Sequence, residues 1–246
     1  MDAAGAALAG AAFGLAAVAI GAPFRLVTAA TGVAFGLAAA VTVAVCAGAY
    51  VPFLEKKHGR KARRLLRGRR KAAVCGFCAA VSAICGAAAC VNTVPAPGIA
   101  RLGLCSSVFL CALVTDAELS VITNACPLAL TAGRLLIFPA EVFCSPSGAV
   151  RLLLANFAAG AACFFLLVIL MKITGGIGAG DAKLVSSFCF LCGARAACRM
   201  FFFSLLLCAS VSVVLLFLRR IGRRDSLPMG PFMWAGFVVS FLLSFS

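Results

Sequence analysis

Acidic side chains are scarce in this sequence: 246 residues hold seven Asp and Glu against 22 Lys and Arg. Charged residues of both signs make up 12% of the chain, about half of the roughly 25% usual in a soluble domain. Hydrophobic residues make up 64%, where roughly 45–50% is ordinary. A core of this size could not hide so many apolar side chains without leaving large sticky patches on its surface. A soluble enzyme, a disordered tail and a nucleic-acid-binding module therefore fit poorly, despite the net charge of +15. Histidine is almost missing, with His58 alone in the chain. That excludes a nearby Ser-His-Asp or Cys-His arrangement and any multi-His metal site.

What is abundant is the apolar run. A helix needs about 20 mostly apolar residues to cross a hydrocarbon layer roughly 30 Å thick. Nine stretches qualify or nearly so: about 3–22, 27–54, 72–94, 99–115, 126–143, 151–171, 182–194, 197–218 and 229–246. Those near 99–115, 126–143 and 182–194 are short, as expected of helices bordering a wet cavity at one end. The first two are rich in Ala and Gly, so they read as two spans or as one span with a re-entrant piece. A cleaved signal peptide fits the N-terminus poorly, because Asp2 stands where a basic region is needed and the apolar run is long. The fold class is all-α: a polytopic transmembrane bundle of about eight or nine spans.

Positive charge orients this bundle. Residues 55–71, EKKHGRKARRLLRGRRK, carry ten of the 22 Lys and Arg. Such a loop reads as a cytoplasmic topology anchor in preference to a patch for nucleic acid or anionic lipid. With it inside, alternate crossings put the turns near 116–125, 172–183 and 219–228 on the same side. The last opens on a second basic cluster, Arg219-Arg220-Ile221-Gly222-Arg223-Arg224. The turns expected outside, near 95–101, 144–151 and 195–199, hold four arginines.

Nearly all of the 14 cysteines fall within apolar spans, where free Cys packs as a small hydrophobe. Cys144 alone is expected in a turn. Two Cys-x-x-Cys pairs, Cys75/Cys78 and Cys189/Cys192, could in principle hold zinc. The second pair is expected about two helical turns deeper than the first, which argues against a shared ion.

The acids then carry the chemistry. They are Asp2, Glu55, Asp116, Glu118, Glu141, Asp181 and Asp225. An ionisable group at membrane depth is costly and is a functional candidate by default. Asp116 ends the apolar run Ala112-Leu113-Val114-Thr115. Asp181 lies in TGGIGAGDAKL, residues 174–184, between two apolar helices, and both fall on the same expected side. Gly175, Gly176, Gly178 and Gly180 should defeat helix formation there, at about 1 kcal/mol each, and let another peptide backbone come close. No phosphate loop is formed: Asp181 and Ala182 separate Gly180 from Lys183, and no strand precedes the glycines. Lys183 could steady this loop, favour an ionised carboxylate pair, or anchor the helix at the interface. Glu118 could serve as a third acid, but is expected to be a solvated turn residue.

Gly178-Ala179-Gly180-Asp181-Ala182-Lys183-Leu184 resembles the Gly-x-Gly-Asp-x-Lys-Leu signature of the prepilin peptidases, within the Gly-x-Gly-Asp class of intramembrane aspartyl proteases. TDAELSVITN, residues 115–124, resembles the first aspartate motif of that family, with Thr123 where Pro is usual. LPMGPF, residues 227–232, resembles the Pro-x-Gly-Pro that opens its last helix. The three motifs fall in order across residues 99–246, which form the peptidase core. Residues 1–98 form an N-terminal membrane region that lacks the family's cytosolic segment of paired Cys-x-x-Cys motifs. Presenilin-like relatives share Gly-x-Gly-Asp, but the Tyr-Asp and Pro-Ala-Leu that accompany it are not found here.

The resemblance implies that Asp116 and Asp181 are the catalytic pair, with Gly178, Gly180 and Lys183 in the supporting loop and no metal or organic cofactor. It further implies a prepilin or pseudopilin substrate, with a basic leader cut at the cytoplasmic face of the cell membrane. The implied partners are that substrate and the lipid bilayer, with no nucleic acid. From the residues alone, a proton- or cation-coupled transporter uses the same acids and the same broken, Gly-rich helices. The Gly-rich motif has no repeat in residues 1–120, where a two-halved transporter would carry one.

Overall fold

The computed structural model describes residues 33–34, 36–42, 69–91, 96–144, 146–175, 177–219 and 227–244. The expected span at 3–22, most of that at 27–54, residues 55–68 of the basic loop, and Asp2, Glu55, His58 and Asp225 lie outside them. Among the described residues there is no strand. Apart from a helical piece at 36–42, seven helices follow in order: α1 (Arg69–Val91), α2 (Ala96–Leu119), α3 (Ala125–Cys144), α4 (Pro146–Thr174), α5 (Ala179–Cys192), α6 (Ala194–Phe217) and α7 (Gly230–Leu242). Each overlaps one of the seven expected spans from 72 onward.

Among the described residues, four helical segments are long and apolar enough to cross a membrane: Pro97–Leu119, Ala125–Phe143, Pro146–Thr174 and Ala194–Phe217. α4 and α6 are apolar over most of their length and largely exposed, showing Phe165, Ile169, Ile173, Phe202, Val213 and Phe217 to their surroundings. Water would penalise such a surface, whereas hydrocarbon does not. The chain is thus a helical membrane protein.

α2 is the central strut, packed against α1, α3 and α7. Phe109 of α2, Phe188 of α5 and Phe237 of α7 meet with ring centroids 5.3–6.0 Å apart, and all three are buried. Aromatic faces and edges at such spacing add to plain burial, so this trio joins three helices at one point. α7 lies closely on α6, where Gly236 faces the backbone of Met200 and Ser204. Small residues permit such approaches, and dispersion is the main attraction between helices in lipid.

At the end away from Asp116 and Asp181 the helices extend into the turns expected near 95–101, 144–151 and 195–199. α2 has Pro97 in its first turn and α4 opens on Pro146, as suits a residue whose missing N–H is unbonded there anyway. Cys144, expected in a turn, is the last residue of α3. α5 and α6 are separated by Gly193 alone, at φ 90°, ψ 165°, a conformation that requires glycine. One residue thus replaces a loop.

Candidate functional site

Asp116 lies in the last turn of α2 and is 7% exposed. α2 ends just beyond it at Ser120, which takes a left-handed φ of 52° and returns its N–H to the Asp116 carbonyl at 2.8 Å. The Asp116 carboxylate accepts a 2.6 Å hydrogen bond from the backbone N–H of Gly230, 114 positions away at the start of α7. The first N–H groups of a helix have no internal partner, so the opening of α7 offers a ready donor to an anion. A Cβ at residue 230 would stand 2.8 Å from the Ala112 carbonyl oxygen and 2.9 Å from Asp116 Cβ. Only glycine lets α7 come this close.

Asp181 is the third residue of α5. Its Oδ2 accepts the N–H of Gly178, the residue that caps the helix, at 3.2 Å. This is the carboxylate half of a capping box, since glycine has no side chain to return the bond. Burial, reinforced by the negative charge of Asp116, pushes the Asp181 carboxyl up from its ordinary 3.8 to about 6; the Gly178 N–H opposes this. Two acids 65 positions apart in the chain therefore feel each other's charge at one end of the bundle.

Neighbouring residues hold the two motif segments together. A Cβ at residue 180 would meet Ile122 Cβ at 2.9 Å and its carbonyl oxygen at 3.2 Å, so the α5 backbone lies directly on the α2–α3 turn. Lys183 Nζ donates to Asn124 Oδ1 at 3.1 Å, joining the same two segments from the exposed side. A cavity of about 320 Å³ opens beside this contact, lined by Thr131, Lys183, Ser186 and Ser187 among others.

Two expectations need correction. Glu118 is 3% exposed, because α2 continues one full turn past the apolar run and carries it on the face of Val114 and Thr115, both wholly buried. The glycines do not all break the helix either. Gly175 takes a left-handed φ of 63° after α4, and Gly178 is extended, but Gly180 sits inside the first turn of α5. Its small size serves close packing on Ile122 and no special backbone angle.

Sequence reasoning missed two features. Gly230 was legible as part of a motif, but its N–H as a partner of Asp116 was not. Glu141 belongs to a buried ion cluster on α2 and α3: Arg134 Nη1 donates to both of its carboxylate oxygens at 2.6 and 2.7 Å, and Arg101 Nε to Oε1 at 3.0 Å. Arg134 is wholly buried and Glu141 is 8% exposed. Their spacing of seven residues, two turns on one helix face, was the available signal.

No protein-family model matches the chain, and no solved structure matches it. Among curated proteins it is similar to the prepilin leader peptidase/N-methyltransferase of Bacillus subtilis (strain 168), with 31% identity over 143 residues. The matched region is 55% of this chain and 52% of that protein, so the chain spans about half the length of the relative it matches.

Proposed function

We propose that this protein is a membrane-embedded aspartic endopeptidase that removes the basic leader of a prepilin or pseudopilin, with Asp116 and Asp181 as its catalytic pair. One observation carries the reading: buried Asp116, bonded to the N–H of Gly230, and Asp181, raised by burial and by the charge of Asp116, stand at the end of the bundle where all three motif segments converge. Two carboxylates close enough to repel each other would share one proton and titrate as a pair, and the reading assigns that arrangement to these two. The ionised member draws a proton from water, which attacks the peptide carbonyl. The protonated member polarises that carbonyl and then serves the leaving amine. The similarity to a prepilin leader peptidase supports the substrate class.

In this reading the site faces the cytoplasm, where the basic residues 55–71 and the cluster from Arg219 anchor the bundle. A leader there would enter beside the exposed Gly178 and pair with backbone in an extended form. Co-expression with a pilin-like protein, read by intact mass, tests the activity. Loss of the leader with a mature N-terminus is the expected result. An intact leader together with pH-driven solute flux would overturn the peptidase in favour of a transporter.

A further inference from the structure

The end of the bundle opposite the two aspartates holds a second cavity, of about 260 Å³, between α2, α5, α6 and α7. Arg101 lies 15 residues before Asp116 on α2, about 22 Å along the helix axis at 1.5 Å per residue. The cavity is lined by the polar Arg101, Arg199, Ser240 and Ser244 and by aromatic rings including Phe188 and Phe237. Positive charge is in excess here. Arg101 and Arg134 share the single carboxylate of Glu141, and Arg199 has no acidic partner among the described residues. Arg199 Nε is shielded from solvent and has no hydrogen-bond acceptor among them, and the same holds for Nε and Nη2 of Arg134. Buried guanidinium N–H groups without acceptors are costly, so this end of the molecule is short of an anion.

We infer that this cavity binds the phosphate headgroup of an anionic phospholipid, with Arg199 and Arg101 on the phosphate and Ser240 and Ser244 on its glycerol oxygens. Guanidinium groups match phosphate oxygens in a planar, two-pronged geometry. The volume lies just under the ~300 Å³ lower bound of ordinary ligand pockets, which suits a headgroup and not a whole lipid. Most of the lining is apolar, which favours an amphiphile over free phosphate. Exposed Phe202 and Leu242, within three residues of Arg199 and beside Phe241, offer an acyl chain a path outward. The site lies at the far end of the bundle from the proposed catalytic pair, so it stands or falls independently of the peptidase reading.

The full chain, delipidated in detergent, is mixed with phosphatidylglycerol, phosphatidylcholine or inorganic phosphate, and bound species are counted by native mass spectrometry. The wild type should retain phosphatidylglycerol about tenfold more tightly than phosphatidylcholine, the change expected for one charged hydrogen-bonded contact. Arg199→Gln should abolish that preference, and Arg199→Lys should restore part of it, with helicity by circular dichroism unchanged in both. Equal retention of the two lipids by the wild type overturns the inference, even if the variants fail to fold. So does an Arg199→Gln protein that keeps the full preference. Displacement of the lipid by millimolar inorganic phosphate would make free phosphate the occupant and overturn the lipid assignment.

Discussion

The two aspartates reach their positions by different local means. Asp116 ends a helix and accepts an N–H from another helix, whereas Asp181 starts a helix and caps it. Because the charge of Asp116 helps to raise Asp181, Asp116→Asn should lower the pH at which the Asp181 carboxyl ionises, from about 6 toward its ordinary range. Burial is the larger cause, so the return should be partial. Infrared titration of the carboxyl stretch reads this directly, and an unchanged midpoint would separate the two acids. For stability, the raised Asp181 carboxyl favours the folded state most below about pH 4, and this contribution is lost as pH rises through about 6. Gly230→Ala should move α7 off Asp116 and slow leader cleavage by about 10²-fold, since an ångström of misplacement near reacting groups costs that much. Helical content by circular dichroism should be retained. At this scale the sequence was informative about side chains and silent about backbone. Asp116 and Asp181 stood out as rare acids beside apolar runs, but a main-chain N–H leaves no mark in a string of letters.

Helices were legible as apolar runs, and their ends less so. Hydropathy placed the central helix at 99–115, but α2 runs from Ala96 to Leu119, because Asp116 and Glu118 are helical despite their charge. That extra turn buries Glu118 and brings Asp116 under α7. The break between α5 and α6 was expected near 195–199 and lies at Gly193, since a single residue in a glycine-only conformation reverses the chain. A Cβ there would also approach Asn156 Oδ1 at 3.1 Å. Gly193→Ala should therefore destabilise the α5–α6 junction by about 1–3 kcal/mol. Thermal unfolding in detergent measures it, and a loss below a few tenths of a kcal/mol would contradict the conformational account.

Among the described residues, the bonded ionisable groups gather at two ends of the bundle. One end holds the Asp pair, with Lys183 at its exposed rim; the other holds Arg101, Arg134, Arg199 and Glu141. The charge pattern of the sequence was enough to put residues 116–125 and 172–183 on one side, and the contacts of Gly180 with Ile122 and of Lys183 with Asn124 join those segments. The ion cluster was not legible, because Arg134 and Glu141 sit within an apolar run whose average hides them. Glu141→Gln should cost about 3–5 kcal/mol by leaving two guanidinium groups in the bundle without a counter-charge. Arg134→Met combined with Glu141→Gln should cost less than Glu141→Gln alone. A double variant at least as unstable as the single one would show that packing, and not charge, sets the penalty.

The central claim is that Asp116 and Asp181 act as one unit on a peptide bond. Purified protein in liposomes, given a pilin-like substrate with its leader, allows the cleavage rate to be followed by mass for the wild type, Asp116→Asn, Asp181→Asn and the double variant. Each single variant should lose at least ~10²-fold in rate, and the double variant should be no slower than the singles, as for groups that work together. Cleavage by either single variant near the wild-type rate would contradict the account.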